Sequence, residues 1–270
     1  MQISSAFGQV QGALSWFVES YSNLASWRAT TDRLTSFEAS FTALSHAQQP
    51  LSATDSEALD VSNLSLALPD GSLLLANTAL HATAGARVLL QGPSGSGKST
   101  LFRTLAGIWP YATGTLARPL DAMFIPQRPY FPNGPLRDAL AYPALPDRYS
   151  DAQLRQALQD AELPALAERL DEAGAWGQQL SGGEQQRLAI ARVLLKKPRW
   201  VFADEATSAL DEQTEKKVYE QLLTLVKTGD GALFSIAHRP GVANFHGSRW
   251  VLQPLAVGAA ARYRLVEQTG

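Results

Sequence analysis

Residues 87–100 read RVLLQGPSGSGKST, which places a glycine-rich loop between an apolar strand and the start of a helix. Glycines let the backbone N–H groups of such a loop converge on phosphate oxygens, and the helix N-terminus adds a favourable dipole. The alternative is a chance glycine-rich turn, which we disfavour because strand, loop, lysine, serine and helix all agree. We expect Lys98 to reach the β- and γ-phosphates of a nucleoside triphosphate and Ser99 to ligate Mg²⁺. The predicted nucleotide-binding residues of this stretch are Gly92, Pro93, Ser94, Gly95, Ser96, Gly97, Lys98, Ser99 and Thr100.

Short apolar runs alternate with helical patterns on either side of this loop. The runs are almost continuously apolar, which is typical of strands buried on both faces. The sequence therefore predicts an α/β fold with a largely parallel central sheet. The predicted strands are 61–68, 87–91, 122–126, 200–203 and 232–237. The predicted helices are 98–107, 150–161, 182–196 and 211–227.

Composition narrows the class of protein. With 270 residues and 45% hydrophobic content, the chain can bury one large domain, or one domain with an appendage. A formal net charge of −2 gives no reason to expect nucleic acid or an anionic membrane surface as a partner. The absence of cysteine excludes disulfides and cysteine-ligated metals and fits a cytoplasmic domain. We find no signal-peptide pattern and no apolar run long enough to predict a membrane span.

Two carboxylates follow another apolar run, in WVFADE at residues 200–205. A buried strand that ends in carboxylates presents them at the edge of the sheet where ligands of open α/β sheets bind. We expect Asp204 to hold Mg²⁺ and Glu205 to polarise the attacking water as a general base. The alternative is a solvated acidic pair in a loop.

The first 45 or so residues carry a different pattern. Apolar side chains recur there every three or four residues, which predicts an amphipathic helix. Such a helix either packs on its own domain or presents its apolar face to an absent partner. We favour the absent partner because no predicted strand or turn nearby offers a second layer. Residues 51–57 (LSATDSE) resemble a linker and set a domain boundary near residue 50. The apolar positions are Phe7, Val10, Leu14, Phe17, Tyr21, Leu24, Trp27, Phe37, Phe41 and Leu44.

The stretch LSGGEQQ, residues 180–186, resembles the signature motif of ATP-binding-cassette (ABC) ATPases. Gln127 in FIPQRPY matches the Q-loop glutamine of that family, SALD at 208–211 its D-loop, and His238 in SIAHRP its switch histidine. The resemblance covers roughly residues 58–255. It implies a phosphate-loop ABC cassette with a largely parallel central sheet, an antiparallel β subdomain and a helical signature subdomain.

The resemblance also implies how the site is assembled. ABC domains dock head to tail, so the signature of one chain closes over ATP that its partner binds, and the partner is a second copy or the other half of a transporter pair. The implied catalytic residues are Glu205, His238, Gln127 and Lys98. The implied Mg²⁺ ligands are Ser99, Gln127 and Asp204. The further implied ATP contacts are Gln127, Ser181, Gly182, Gly183, Glu184, Asp211 and His238.

A narrower resemblance lies in GIWP at residues 107–110 and in LRD at 136–138, which follows Pro132. Both are similar to peroxisomal fatty-acid (adrenoleukodystrophy-protein) type transporters and to their bacterial relatives, including peptide-uptake types. These proteins fuse a transmembrane domain in front of the cassette, and residues 1–50 resemble the end of that domain. The resemblance thus implies a piece of a longer transporter, with residues 51–270 as the ATP-binding domain on the cytoplasmic face of a bacterial inner membrane.

One residue departs from the family pattern. Leu68 stands where many cassettes have an aromatic residue that stacks on adenine. We therefore expect either that another aromatic residue contacts the base or that base selectivity is weak.

The alternative function is a soluble ABC ATPase of DNA repair or translation. Such a protein would be expected to show paired cassettes, coiled-coil insertions or basic surfaces, and the sequence has none. A regulatory module without catalysis is also disfavoured because Glu205 and His238 are both present.

Overall fold

The computed structural model describes residues 2–46, 51–256 and 258–269 of the chain. The chain divides into two compact units, residues 1–49 and residues 50–270. The first unit is one helix, α1, over Gln2–His46. Among the described residues, no helix combines the length and the apolar character that crossing a membrane requires.

The predicted N-terminal helix is confirmed, but its apolar residues do not keep to one face. They recur about every 3.4 residues, whereas an α-helix has 3.6 residues per turn, so the apolar stripe drifts around the helix axis. At about 100° per residue, Val10 and Phe41 point roughly 140° apart. The exposed large apolar side chains of α1 are Val10, Trp16, Tyr21, Leu24, Trp27, Leu34, Phe37 and Phe41. The side chains of Phe7, Leu14, Phe17 and Leu44 lie outside the described part of the structure.

The second unit contains the remaining elements. Its strands are β1 Ser52–Asp55, β2 Leu59–Ala67, β3 Leu73–Ala82, β4 Arg87–Gln91, β5 Ala112–Arg118, β6 Ala122–Ile125, β7 Gly134–Pro135, β8 Ala173–Gly174, β9 Trp200–Asp204, β10 Ala232–Ile236, β11 Ser248–Pro254 and β12 Tyr263–Thr269. Its α-helices are α2 Lys98–Leu105, α3 Leu136–Ala141, α4 Asp151–Asp160, α5 Pro164–Ala167, α6 Trp176–Gln179, α7 Gly182–Lys196 and α8 Glu212–Thr228. Short 3₁₀ helices cover Pro146–Arg148 and Pro240–Phe245.

The central sheet has the strand order β12-β11-β4-β10-β9-β6. All its neighbours are parallel except β11 and β12. Its inner strands β4, β9 and β10 are buried on both faces because successive residues join different cores. In β9, Trp200 and Phe202 face the antiparallel sheet, whereas Val201 and Ala203 face α7 and α8. The carboxyl ends of β4, β9 and β10 meet at one edge, which brings together the loops that follow them.

The second sheet has the order β1-β5-β2-β3 and is antiparallel except where β1 pairs with β5. The predicted linker over 51–57 is wrong for Ser52–Asp55, which form β1. The sequence of β1 lacks an apolar strand pattern because β1 lies at the edge of the sheet, where a strand can carry polar residues. Leu51, directly before it, is buried in the main core.

A helical subdomain with its own core makes up the third part of the unit. Buried side chains of α3 to α7 pack around Trp176, whose Nε1 donates a 2.8 Å hydrogen bond to the Gly134 carbonyl. Ser150 caps α4 through a capping box with Gln153. The subdomain presents the N-terminus of α7, which carries the signature motif, at its boundary with the central sheet.

Deleting residues 1–50 is expected to leave the second unit folded. The buried residues of its three cores come from positions 51–252. A deletion of residues 1–57 is the matched comparison, because it also removes β1 and buried Leu51. Burial of one leucine contributes about 1.5–3 kcal/mol, so the longer deletion should lower the free energy of unfolding by about 2–3 kcal/mol relative to the shorter one. Urea denaturation of both proteins measures this. Loss of the cooperative transition in the shorter deletion would contradict the boundary.

Candidate nucleotide-binding site

The glycine-rich loop connects β4 to α2. Gly97 at the start of α2 has φ +90°, and a Cβ there would lie 2.6 Å from Leu74 Cδ1, so both the backbone and the close contact require glycine. The Lys98 side chain folds over the loop, and its Nζ donates 3.0 Å hydrogen bonds to the carbonyls of Gly92 and Pro93. An ammonium group is therefore held at the centre of a turn rich in backbone N–H groups, an arrangement suited to phosphate.

A serine and an aspartate meet beside the loop. The Ser99 hydroxyl donates a 3.0 Å hydrogen bond to Asp204 Oδ1 at the end of β9. Burial raises the pKa of the Asp204 carboxyl, while the hydrogen bond from Ser99 acts in the opposite direction. The buried carboxylate would gain from a cation, and the two oxygen donors suit a hard divalent ion.

Glu205, the next residue, has both carboxylate oxygens engaged. Gln127 Nε2 donates to Oε2 at 2.7 Å, and His238 Nε2 lies 2.9 Å from Oε1. A His238 tautomer that is protonated at Nε2 satisfies this contact, because a carboxylate oxygen can accept its hydrogen bond. The residue has φ +49°, a left-handed conformation that costs a non-glycine residue about 1–3 kcal/mol and is concentrated at functional sites.

The signature motif forms the capped start of α7. The Ser181 hydroxyl donates to Glu184 Oε2 at 2.6 Å and accepts from the Glu184 N–H at 3.4 Å, and Glu184 Oε2 also accepts from the Ser181 N–H at 2.9 Å. These hydrogen bonds hold the pKa of Glu184 below its usual value. A Cβ on Gly183 would lie 3.2 Å from the Ala209 carbonyl, so this glycine permits α7 to approach the loop after β9.

The structure brings six of the sequence-predicted site residues into one contiguous constellation. These residues are Lys98, Ser99, Gln127, Asp204, Glu205 and His238. Ser181 to Glu184 stand apart: among the described residues, no hydrogen bond joins them to Lys98 or Ser99. Asp211 caps α8, accepting from the Thr214 N–H at 2.9 Å and the Thr214 hydroxyl at 2.7 Å, so its observed contacts are structural.

Two aromatic residues lie beside Leu68, the position expected to be aromatic. Leu68 packs against the main core. Trp109 Nε1 donates a 2.9 Å hydrogen bond to the Ala67 carbonyl, and the Tyr111 carbonyl accepts one of 2.8 Å from the Ala67 N–H. The two rings meet edge to face with centroids 5.6 Å apart, and Tyr111 is 40% exposed. These rings are the neighbours available to a base at this position.

Sequence reasoning missed a polar network behind the carboxylates. Glu215 on α8 is buried, accepts a 2.6 Å hydrogen bond from the Thr207 hydroxyl and lies 3.4 Å from Arg239 Nη1. Arg239 also reaches the Ser208 carbonyl at 3.4 Å. The network links the loop after β9 to the residue that follows His238. The sequence signal that could have identified Arg239 was its position directly after His238. Gln186, within the quoted signature, was also missed.

Comparisons with known proteins find related sequences and a related fold. A family model described as "ABC transporter" matches residues 75–208. An uncharacterized ABC transporter ATP-binding protein of Synechocystis sp. is 37% identical and aligns with 94% of this chain and 42% of its own length. The inner membrane ABC transporter ATP-binding protein YddA of Escherichia coli is 36% identical, covering 90% of this chain and 42% of YddA. The chain thus spans less than half the length of these relatives.

The narrower resemblance and the fold find matches as well. ABC transporter D family member 2 of Dictyostelium discoideum is 37% identical over 68% of this chain and 26% of its own length. A solved structure of a bacterial Atm1-family ABC exporter with ATP bound superimposes with a TM-score of 0.65 and 28% identity. That match covers 76% of this chain and 38% of the exporter.

Proposed function

We propose, from the premise that this chain carries an ATP-binding domain of the ABC transporter family, that it hydrolyses ATP as the motor of a membrane transporter. One observation carries the hydrolytic part of the proposal: Gln127, Glu205 and His238 converge beside the Ser99–Asp204 pair. A module that only binds nucleotide has no use for a carboxylate oriented by two partners.

The proposed reaction is attack of water on the γ-phosphorus of ATP. The water oxygen bonds to the γ-phosphorus while Glu205 accepts one proton from that water. At the same time the bond between the γ-phosphorus and the β–γ bridging oxygen breaks. ADP and inorganic phosphate are the products. Gln127 and His238 fix the direction of the Glu205 carboxylate, and Lys98 neutralises charge on the β- and γ-phosphates.

Ser99, Asp204 and Gln127 would hold Mg²⁺. Hydroxyl, carboxylate and amide oxygens are its preferred ligands, and the Oε1 atom of Gln127 remains for this role because Nε2 is bonded to Glu205. A bound Mg²⁺ would supply charge neutralisation on the phosphate oxygens.

A second copy of the domain, or the other half of a transporter pair, would complete each site. Support comes from the separation of Ser181–Gly183 from Lys98 within the chain, and from the exposed N-terminus of α7, an anion-binding element. We further propose that residues 1–50 end a transmembrane domain and that the assembly lies on the cytoplasmic face of a bacterial inner membrane. The inner-membrane relative supports that location.

Replacing Lys98 by alanine is expected to weaken ATP binding by about 10–100-fold, since charge-assisted hydrogen bonds are worth about 1.5–3 kcal/mol. Equilibrium titration with a fluorescent ATP analogue measures the effect. Lys227→Ala, at an exposed position near the end of α8, is the matched control and should bind like the wild type. An unchanged dissociation constant for Lys98→Ala would refute the assignment of the 92–99 loop.

A further inference from the structure

The backbone of Glu205 is held in a conformation that its own side chain disfavours. Its φ of +49° lies in the left-handed region, which residues with a Cβ adopt at a free-energy cost. Such a conformation persists only where surrounding contacts over-determine it. The groups that bond to the Glu205 main chain therefore control where its carboxylate points.

Three hydrogen bonds fix this main chain. The Glu205 N–H donates to the Ile236 carbonyl at 3.0 Å, which ties it to β10. The Glu205 carbonyl accepts from the Ser208 N–H at 3.2 Å, within its own loop, and from the Gln186 side-chain Nε2 at 3.2 Å. Gln186 provides the only one of the three that comes from the helical subdomain.

Gln186 is built into the loop rather than resting on it. The side chain is 6% exposed, and every polar atom of its amide has a partner. Nε2 also donates to the Ser208 hydroxyl at 2.9 Å, and Oε1 accepts from the Ala209 N–H at 2.9 Å. The Gln186 amide thus forms hydrogen bonds with Glu205, Ser208 and Ala209. These three contacts require two donor hydrogens and one acceptor on the same side chain, which a glutamate or an apolar residue cannot supply.

The same loop rests against the first turn of the helix that carries Gln186. Gly183 approaches the Ala209 carbonyl closely, and Gln186 lies one turn later on the same face of α7. The loop from Glu205 to Ala209 therefore packs closely against α7 at Gly183 and is hydrogen-bonded to it through Gln186, one turn later.

We propose that Gln186 is a positioning residue for hydrolysis, which holds Glu205 in its left-handed conformation and so aims the carboxylate. The role of Glu205 in this statement rests on the proposed function. Among the described contacts, Gln186 touches no residue of the 92–99 loop, so the binding of ATP to the chain's own loop does not depend on it. Its removal lowers the rate of hydrolysis and leaves ATP affinity unchanged.

The test compares Gln186→Met with Gln221→Met in the 270-residue chain. Gln221 is the matched control because its amide likewise donates to a backbone carbonyl, that of Asp160 at 2.6 Å, which lies outside the loop from Glu205 to Ala209. Gln186→Met should lower kcat about 10–100-fold, since small misplacements of a reacting group have effects of this size. KM and the dissociation constant for ATP should stay at wild-type values, and Gln221→Met should match the wild type in all three.

Hydrogen exchange gives a readout that does not require activity. In Gln186→Met the Ala209 amide loses its acceptor, so its exchange should accelerate about tenfold or more. Gln186→Glu keeps the volume and the acceptor; it should protect Ala209 yet still lose kcat, because it cannot donate to the Glu205 carbonyl. This variant also decides the question if the methionine variant fails to fold.

Wild-type kcat in Gln186→Met, or in a folded Gln186→Glu variant, would overturn the proposal, and so would unchanged exchange at Ala209 in Gln186→Met. A parallel rise of KM with the fall of kcat would also overturn it, because the residue would then act on binding. A wild-type chain that fails to hydrolyse ATP refutes the proposed function instead. In that case the exchange rate at Ala209 still decides whether Gln186 holds the loop.

Discussion

Glu205→Gln is expected to retain ATP binding and to lose about 10²–10⁴-fold in turnover, the usual contribution of a general base. The amide keeps the size of the carboxylate but cannot take a proton from water. It can also accept from only one of the two partners, Gln127 and His238, that bond to the carboxylate oxygens. Steady-state phosphate release by the purified chain, with saturating Mg²⁺ and ATP, measures the loss.

Glu220→Gln is the matched control, because Glu220 is an exposed carboxylate on α8 whose nearest cation, Lys216, is 3.9 Å away. It should hydrolyse ATP like the wild type. Near-wild-type turnover by Glu205→Gln would remove Glu205 from the role of base and leave its contacts with Gln127 and His238 without a catalytic meaning.

Ser181→Arg is expected to bind ATP normally and to lose about 10²-fold or more in hydrolysis, comparable to removing a preorganised contact with the transition state. The reason is geometric. A long cation at the capped start of α7 breaks the Ser181–Glu184 capping box and blocks approach to a partner's nucleotide, whereas the chain's own Lys98 is untouched. Affinity is measured by titration, and hydrolysis by phosphate release.

Mixing Ser181→Arg with Lys98→Ala distinguishes action in trans from action in cis. In the mixed dimer, one composite site has both intact parts and the other carries both lesions. Random pairing should therefore restore up to about a quarter of wild-type turnover in a two-fold symmetric dimer. If the signature served its own chain, the mixture would be no more active than its components.

The elements that the sequence predicts best are those with a strong local signal. The predicted helix 182–196 matches α7 at both ends, because Ser181 and Glu184 form a capping box and Lys197, after the last turn, adopts the left-handed conformation that ends the helix. The strand 87–91 matches β4 at both ends, since its apolar run is bounded by a charge and a glycine. Loop and carboxylate motifs then located the constellation around Lys98 and Glu205.

Other features depend on contacts that are distant in sequence. β3 and β5 were not predicted because their polar and apolar residues mix without a clear period. They form strands because each pairs with β2, a contact that is distant in sequence for β5. The polar sequence 52–55 was assigned to a linker, but pairing with β5 makes it a strand. The partners of Gln186 lie about twenty residues away on another loop, so its role is visible only once the amide, Glu205 and Ala209 are seen together.

In the proposed assembly, ATP is bound between two chains docked head to tail. The most direct test of this arrangement is the molar mass of Glu205→Gln with and without Mg²⁺ and ATP, measured by light scattering, since this variant binds ATP without consuming it. We predict a monomer without nucleotide and a dimer with two bound ATP molecules, and we predict that adding Ser181→Arg abolishes the dimer while ATP stays bound. A Glu205→Gln chain that is saturated with ATP and remains monomeric would contradict head-to-tail docking around the nucleotide.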